Sequence, residues 1–268
     1  MVKKFIQRGY VWLVLAFLYA PIILLAVYSF NNSQVVGQWD DEWSLSLYKQ
    51  LFSSQELMTT VWNTLLLAFV SSILSTILGT MGAIGSFYSR KRSKDLLNSV
   101  TQIPVINAEI VTAISTALIC TMLAFGRTYV SLLIGHIILT FPFVYLNVTP
   151  KLKQMDQNLY EAALDLGATP VQALFKVVIP QILPGIFSGF LIAITLSLDD
   201  YIITTFTKPA TFNTISTFVF DAYAKGGRSA DVPALRALST IIFLVIIIFV
   251  LAKNALTNRQ IKRNGGRK

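Results

Sequence analysis

Charge is what this chain lacks most. Only 13% of its 268 residues are Asp, Glu, Lys or Arg, against about 25% in a soluble globular domain. Hydrophobic residues make up 54% and gather into long runs, which excludes a soluble fold and marks an integral membrane protein. Cysteine is nearly absent. Cys120 stands alone inside an apolar run, so no internal disulfide can form and the redox compartment cannot be read. Histidine is reduced to His136. One histidine and one cysteine leave no ligand set for a metal, and the lone histidine reads as a hydrogen-bonded packing residue. No glycine-rich loop ending in Lys-Ser or Lys-Thr occurs, so the chain is not expected to hydrolyse ATP. No nucleophile–base pairing is legible either, and neither a cofactor nor enzyme activity is expected within the chain.

Positive charge is what the sequence has in relative excess, with 22 Lys and Arg against 13 acids and a net charge of +9. Nucleic acid would be one partner for such a balance. The basic residues lie between apolar runs and at both ends, however, where they act as topology signals. Six runs reach the roughly 20 residues that span hydrocarbon: Tyr10–Phe30, Val61–Phe87, Leu97–Ala124, Val130–Val148, Ile182–Phe206 and Ala234–Ala252. The first follows Lys3, Lys4 and Arg8 as a signal peptide would, but it is too long for a cleaved segment and lacks a small-residue cleavage site, so it is expected to be retained. Arg236, near the start of the last run, is expected to snorkel to the head groups. With the N-terminus inside, sixteen of the 22 Lys and Arg residues are cytoplasmic and six are not, which puts both termini in the cytoplasm. The expected fold is one all-α membrane domain over residues 1–268, with six spans and a polar loop, residues 151–181, between the fourth and fifth.

That loop carries explicit punctuation. Asp156 is placed to cap a first helix, Ala162 and Ala163 favour it, and Gly167 supplies the left-handed turn that ends it. Thr169 and Pro170 then start a second helix, which Pro180 is expected to close. Trp39, Trp43, Tyr48 and Trp62 suggest an interfacial helix near Ser44–Phe52. Ser75, Gly79, Gly82 and Gly85 in the second run, and Gly185 and Gly189 in the fifth, are small residues that let helix backbones approach in lipid.

Acids at membrane depth are costly and therefore functional candidates. Glu109 follows Pro104 in the third run. Asp199 and Asp200, followed by Tyr201, stand in the fifth, about 26 Å from Ile182 along a straight helix. Adjacent helical residues point about 100° apart, so one aspartate is expected to face a pathway while the other caps a helix or pairs with Arg236. A carboxylate beside aromatic rings suits a compact cation. The competing reading makes these acids structural.

The loop spacing, Glu161-Ala162-Ala163, three residues, Gly167, nine residues, then Val177-Val178-Ile179-Pro180, resembles the cytoplasmic loop of permeases of binding-protein-dependent ABC importers. The family tail is Ile-x-Leu-Pro, so Val177 and Ile179 depart from it and Pro180 matches. Ser197-Leu198-Asp199-Asp200-Tyr201, Gly135-His136-Ile137, Phe141-Pro142-Phe143-Val144 and Ala237-Leu238-Ser239-Thr240 extend the likeness to the polyamine branch, as does Glu109. Arg236 and Phe212–Asp221 depart from that branch. The resemblance implies a permease of the bacterial plasma membrane that pairs with a second permease and two ATP-binding subunits holding ATP and Mg²⁺. It implies an extracytoplasmic substrate-binding protein, and no nucleic acid. Glu161, Ala162, Ala163, Gly167 and Pro180 would couple to the ATPase; Glu109, Asp199, Asp200 and Tyr201 would line the path of spermidine or putrescine. Two alternatives stand beside this: the same importer carrying an aminoalkyl compound or a sugar, and a membrane-embedded enzyme using the acids.

Overall fold

A computed structural model describes residues 2–33, 38–39, 43–156, 158–224, 232–245 and 247–248. The helices are α1 (Val2–Tyr28), α2 (Ser46–Ser53), α3 (Gln55–Tyr88), α4 (Lys91–Ile106), α5 (Glu109–Met122), α6 (Tyr129–Gln154), α7 (Asn158–Asp165) and α8 (Pro170–Ala173). A π-helical turn, Leu174–Val178, leads into α9 (Ile179–Asp199), followed by α10 (Ile202–Thr207) and α11 (Ile215–Ala224). A shorter apolar helix, α12, covers Ala234–Val245. Among the described residues the only β pairing is the isolated bridge Asn31–Trp43.

The fold is all-helical, and among the described residues four stretches are long and apolar enough to cross a membrane: Gly9–Tyr28, Gln55–Tyr88, Tyr129–Gln154 and Pro170–Asp199. A fifth is a broken pair. The expected run Leu97–Ala124 forms as α4 and α5, which meet at 108°. Asn107 and Ala108 are both extended, with ψ of 150° and 132°. Most of the expected sixth run is α12; residues 246 and 249–252 lie outside the described residues.

The chain divides into two compact units, Met1–Thr59 with Val219–Lys268, and Thr60–Phe218. In the first, the interfacial helix expected near Ser44–Phe52 forms as α2. It buries Leu47 and Leu51, and Tyr48 shares a 2.8 Å hydrogen bond with Ser29. Trp39 packs edge-on against both Tyr28 and Trp43. Arg236 does not snorkel: it is 3% exposed, and its Nη1 donates to the Ser33 carbonyl at 3.0 Å. A guanidinium already desolvated needs that acceptor more than it needs the head groups.

The second unit is built on α6 and its neighbours. Thr128 and Ser131 start α6 with a reciprocal capping box, which satisfies two of its orphan donors. Val144 is then clasped from two sides. A Cβ on Gly79 of α3 would lie 2.7 Å from its Cβ, and one on Gly189 of α9 would lie 3.1 Å from its Cα. Lipid is as apolar as leucine, so close packing and polar links hold such helices together rather than burial from water. Ser75 of α3 and Thr140 of α6 provide one such link at 2.6 Å. Val144, Val148, Leu152, Val178, Ile182 and Ala193 form the buried centre beneath it. Gly79→Ala is expected to cost about 1–3 kcal/mol, because the obstructing Val144 Cβ cannot swing aside. Gly85→Ala, which meets nothing within 4 Å, is expected not to destabilise. Thermal unfolding of the two detergent-extracted variants checks the difference.

Candidate functional site

The first candidate site grows from two helix breaks. At the α4–α5 break, Glu109 becomes the first residue of α5, where the helix dipole favours an anion. At the second break, α9 stays hydrogen-bonded up to the Asp200 amide, which donates to Leu196 O at 3.1 Å. The backbone then turns out at Asp200, with ψ of 128°. A continuous fifth span to Phe206 therefore does not form. The Asp200 side chain explains why. Its Oδ1 accepts the Ile203 amide at 3.1 Å, and its Oδ2 accepts the Thr204 amide at 2.8 Å and the Thr204 hydroxyl at 2.6 Å. An aspartate that offers acceptors to the next turn competes with helix continuation and caps α10 instead.

The far end of α10 is held as firmly. Arg127 donates to Thr205 O at 2.7 Å and to Lys208 O at 3.2 Å, and Ser131 Oγ donates to Thr207 O at 2.8 Å. An anion caps the N-terminal end of this short helix and a cation the C-terminal end, as its dipole favours. Ile203 sits so close to α6 that a Cβ on Gly135 would lie 2.6 Å from it.

Between the breaks opens a cavity of about 450 Å³. Glu109, Asp199, Asp200 and Tyr201 all line it, with Asn107 from the α4–α5 bend and Phe143 from α6 among the other walls. The four pathway candidates are thus brought together, but they stand differently. Glu109 and Asp199 are exposed to the cavity and Tyr201 is half-buried, whereas Asp200 is only 4% exposed. No lysine, arginine or histidine lines the space. Among the described residues no three His, Cys, Asp or Glu side chains converge as metal ligands. The arrangement suits a positively charged group with an apolar stem, held by carboxylates and aromatic faces.

Behind Asp200 lies a feature that residue patterns did not reveal. His136 is fully buried. Its Nε2 is 2.9 Å from Thr204 Oγ1 and 3.5 Å from Asp200 Oδ2; its Nδ1 is 2.8 Å from Ser197 Oγ. Ser197 in turn meets Ser71 of α3 at 3.0 Å. The expectation of a hydrogen-bonded histidine fits this geometry, yet its hydrogen-bond partners lie 61 and 68 residues away on α9 and α10. Only the spacing of Ser197, Asp200 and Thr204, at helical intervals, hinted at one shared face.

The second candidate site is the polar loop. The Asp156 carboxylate accepts the Asn158 amide at 3.0 Å, ahead of α7. Gly167 has φ of +87°, with the Ala168 amide returning to Ala163 O at 3.0 Å, as a left-handed helix end requires. Thr169 and Gln172 form a capping box, with Pro170 in the first turn of α8. Pro180 behaves otherwise than expected. It stands in the first turn of α9, and the chain remains helical through it. The Ile179 amide bonds to Leu174 O, five residues back. That widened turn accommodates a proline that would otherwise crowd the carbonyl four residues before it. Glu161, Ala162 and Gly167 are exposed, and Leu166, Val171 and Phe175 present 89%, 64% and 62% of their surface. Beside them a hollow of about 370 Å³ is lined by Tyr88, Tyr160, Val171 and Leu174.

The different standing of the two aspartates has a measurable consequence. Asp200→Ala is expected to lower stability by about 1–3 kcal/mol, since three buried donors lose their acceptor. Asp199→Ala is expected to be within about 0.5 kcal/mol of the parent, as for an exposed position. Thermal unfolding in one detergent compares them.

Among solved structures, the fold is similar to a bacterial ABC transporter involved in the import of the acidic polysaccharide alginate, with a TM-score of 0.70 and 18% identity over 96% of this chain and 95% of that one. It is also similar to the MetNI methionine ABC transporter in an inward-facing conformation, with a TM-score of 0.60 and 18% identity over 76% and 98%. In sequence, the chain is 29% identical to the spermidine/putrescine transport system permease protein PotC of Shigella flexneri, over 99% of each chain. It is 32% identical to the putrescine transport system permease protein PotI of Escherichia coli strain K12, over 84% of this chain and 81% of that one. The family described as the inner membrane component of binding-protein-dependent transport systems matches residues 75–263. With most of its length inside that match and apolar helices able to cross a membrane several times, the chain belongs to this family, as a non-catalytic, multi-pass component of a bacterial inner membrane.

Proposed function

We propose that this chain is one of two permease subunits of an ATP-driven importer that carries polyamines, spermidine or putrescine, into the cell. The observation that carries the reading is the cavity at the two helix breaks. Three carboxyls and two aromatic rings line it and no cationic side chain does. An anionic cargo would be repelled there, and an uncharged one would leave the acids without a counter-charge. The relatives named for spermidine and putrescine transport point to the same cargo.

In this reading six spans cross the membrane with both termini inside, and a second, related permease completes the path. Two ATP-binding subunits, which hold the ATP and Mg²⁺, sit beneath, and an extracytoplasmic binding protein delivers the cargo above. The α7–α8 elbow docks into an ATPase groove through the exposed face of Glu161, Ala162, Ala163 and Gly167. Leu166, Val171 and Phe175 offer the apolar surface for that contact. Motion received there passes through Pro180 into α9, whose far end carries Asp199. Asp199 and Glu109 meet the cation, Tyr201 offers its ring, and Asp200 holds the local fold while adding its charge.

Uptake of labelled spermidine and putrescine by the assembled transporter tests the pathway. Asp199→Asn is expected to raise KM about tenfold, as for loss of one charge-assisted contact. Wild-type uptake in that variant would remove Asp199 from the path. The elbow has its own test. Gly167→Asp is expected to abolish uptake while the protein still inserts in the membrane, because a side chain is strained at that φ and adds charge to a docking face. Retained uptake would exclude the elbow as the coupling element.

A further inference from the structure

The hydrogen bonds behind Asp200 have a direction. The Thr204 hydroxyl has one proton, and it goes to the Asp200 carboxylate, which only accepts. Thr204 Oγ1 is therefore the acceptor in its 2.9 Å contact with His136, and Nε2 carries the proton of the neutral ring. His136 Nδ1 is then an acceptor, supplied by the Ser197 hydroxyl at 2.8 Å. Ser197, its proton used, accepts from Ser71 at 3.0 Å, a proton that Ser71 shares with the Ala68 carbonyl at 3.3 Å. One chain of donors runs from α3 through α9 and α6 to α10 and ends on the carboxylate beside the cavity. Every member is at most 2% exposed except Asp200, at 4%.

We propose that His136 is a positioning residue for cation passage: through Thr204 it locks the Asp200 cap, and the cap sets how Asp199 and Tyr201 present themselves to the cavity. The proposal rests on reading the cavity as the cation path. Its geometric basis is the adjacency of Asp199, Asp200 and Tyr201 across a helix break. A break leaves the backbone several arrangements, and here the Asp200 side chain selects one by bonding to Ile203 and Thr204. Thr204 contributes two of those three bonds. Its hydroxyl faces Asp200 only while its own oxygen is engaged by His136. Losing the histidine donor frees that rotor, and Asp200 keeps both amides but loses the shorter of the two contacts to its Oδ2. The expected effect falls on how tightly the cation is held rather than on the stroke that drives it.

Paired substitutions separate positioning from packing. Thr204→Val keeps the volume and removes the hydroxyl, whereas Thr204→Ser keeps the hydroxyl. His136→Gln carries an amide nitrogen out to the position of Nε2, whereas His136→Asn reaches only that of Nδ1. In the complete transporter, with labelled spermidine, T204V and H136N are expected to raise KM about tenfold with Vmax close to the parent. T204S and H136Q are expected within about threefold of the parent KM. Parent KM in T204V would overturn the proposal, and so would equal losses in T204V and T204S or in H136Q and H136N. Asp199→Asn, run alongside, distinguishes the two levels. If it shifts KM while T204V does not, positioning fails alone; if it leaves KM unmoved, the cavity reading fails and takes the proposal with it. Membrane levels of each variant are measured as well. Should T204V not accumulate, the glutamine–asparagine pair decides; should both T204V and H136N fail to accumulate, the chain serves assembly and the proposal falls.

Discussion

A helix interrupted inside a membrane must find partners for the backbone groups it sets free, because hydrocarbon offers none. At the end of α9 the Asp200 carboxylate supplies them, accepting the amides of Ile203 and Thr204 at 3.1 and 2.8 Å. The rest of the cavity depends on that arrangement. Because Asp200 turns inward as a cap, Asp199 is left facing the open space. Because α10 restarts at once and is held at its other end by Arg127, the break is a corner with a defined shape. The α4–α5 corner completes it by bringing Glu109 to the same cavity. Two interruptions, each costly alone, thus bring three carboxyls to a largely apolar space.

Polar groups of low charge hold this corner in place. Ser71, Ser197, His136 and Thr204 are buried and pass one donor chain between four helices. Hydrogen bonds between membrane helices average about 0.6 kcal/mol each, so the chain adds little to overall stability. Its effect is in specificity of arrangement: a satisfied polar chain admits one registry of the helices that share it. The glycines opposite Val144 act in the same direction, since α3, α6 and α9 approach so closely that a slide by one residue would bring a side chain into backbone. A continuous helical stretch, Pro170–Asp199, thus links the polar elbow to Asp199.

The elbow follows a different logic. Its exposed residues include Leu166, Val171 and Phe175, apolar side chains on an otherwise polar turn of chain. Such a surface is costly in water and is retained where a partner covers it. The π turn between α8 and α9 carries the helix past Pro180 without a break. A proline at that point would ordinarily end a helix, and here it leaves α8 and α9 as one continuous rod.

Local chemistry was legible in the residue order alone. Apolar runs announced membrane helices, Gly167 announced a left-handed helix end, and Thr169 with Pro170 announced a new start. In each case the cause lies within a few residues along the chain. Pro180 was misread for the same reason: its exclusion from a helix is a local rule, and the widened turn that admits it, with the Ile179 amide bonded to Leu174 O, leaves no mark in the residue pattern. The division of labour between Asp199 and Asp200 was open in the sequence, because two adjacent acids look alike until the chain turns between them. Which one caps, which one faces the cavity, and which serine, threonine and histidine support the cap depend on partners up to 126 residues away. Patterns along a chain specify elements and their ends; only helices brought together in space decide where a buried proton goes.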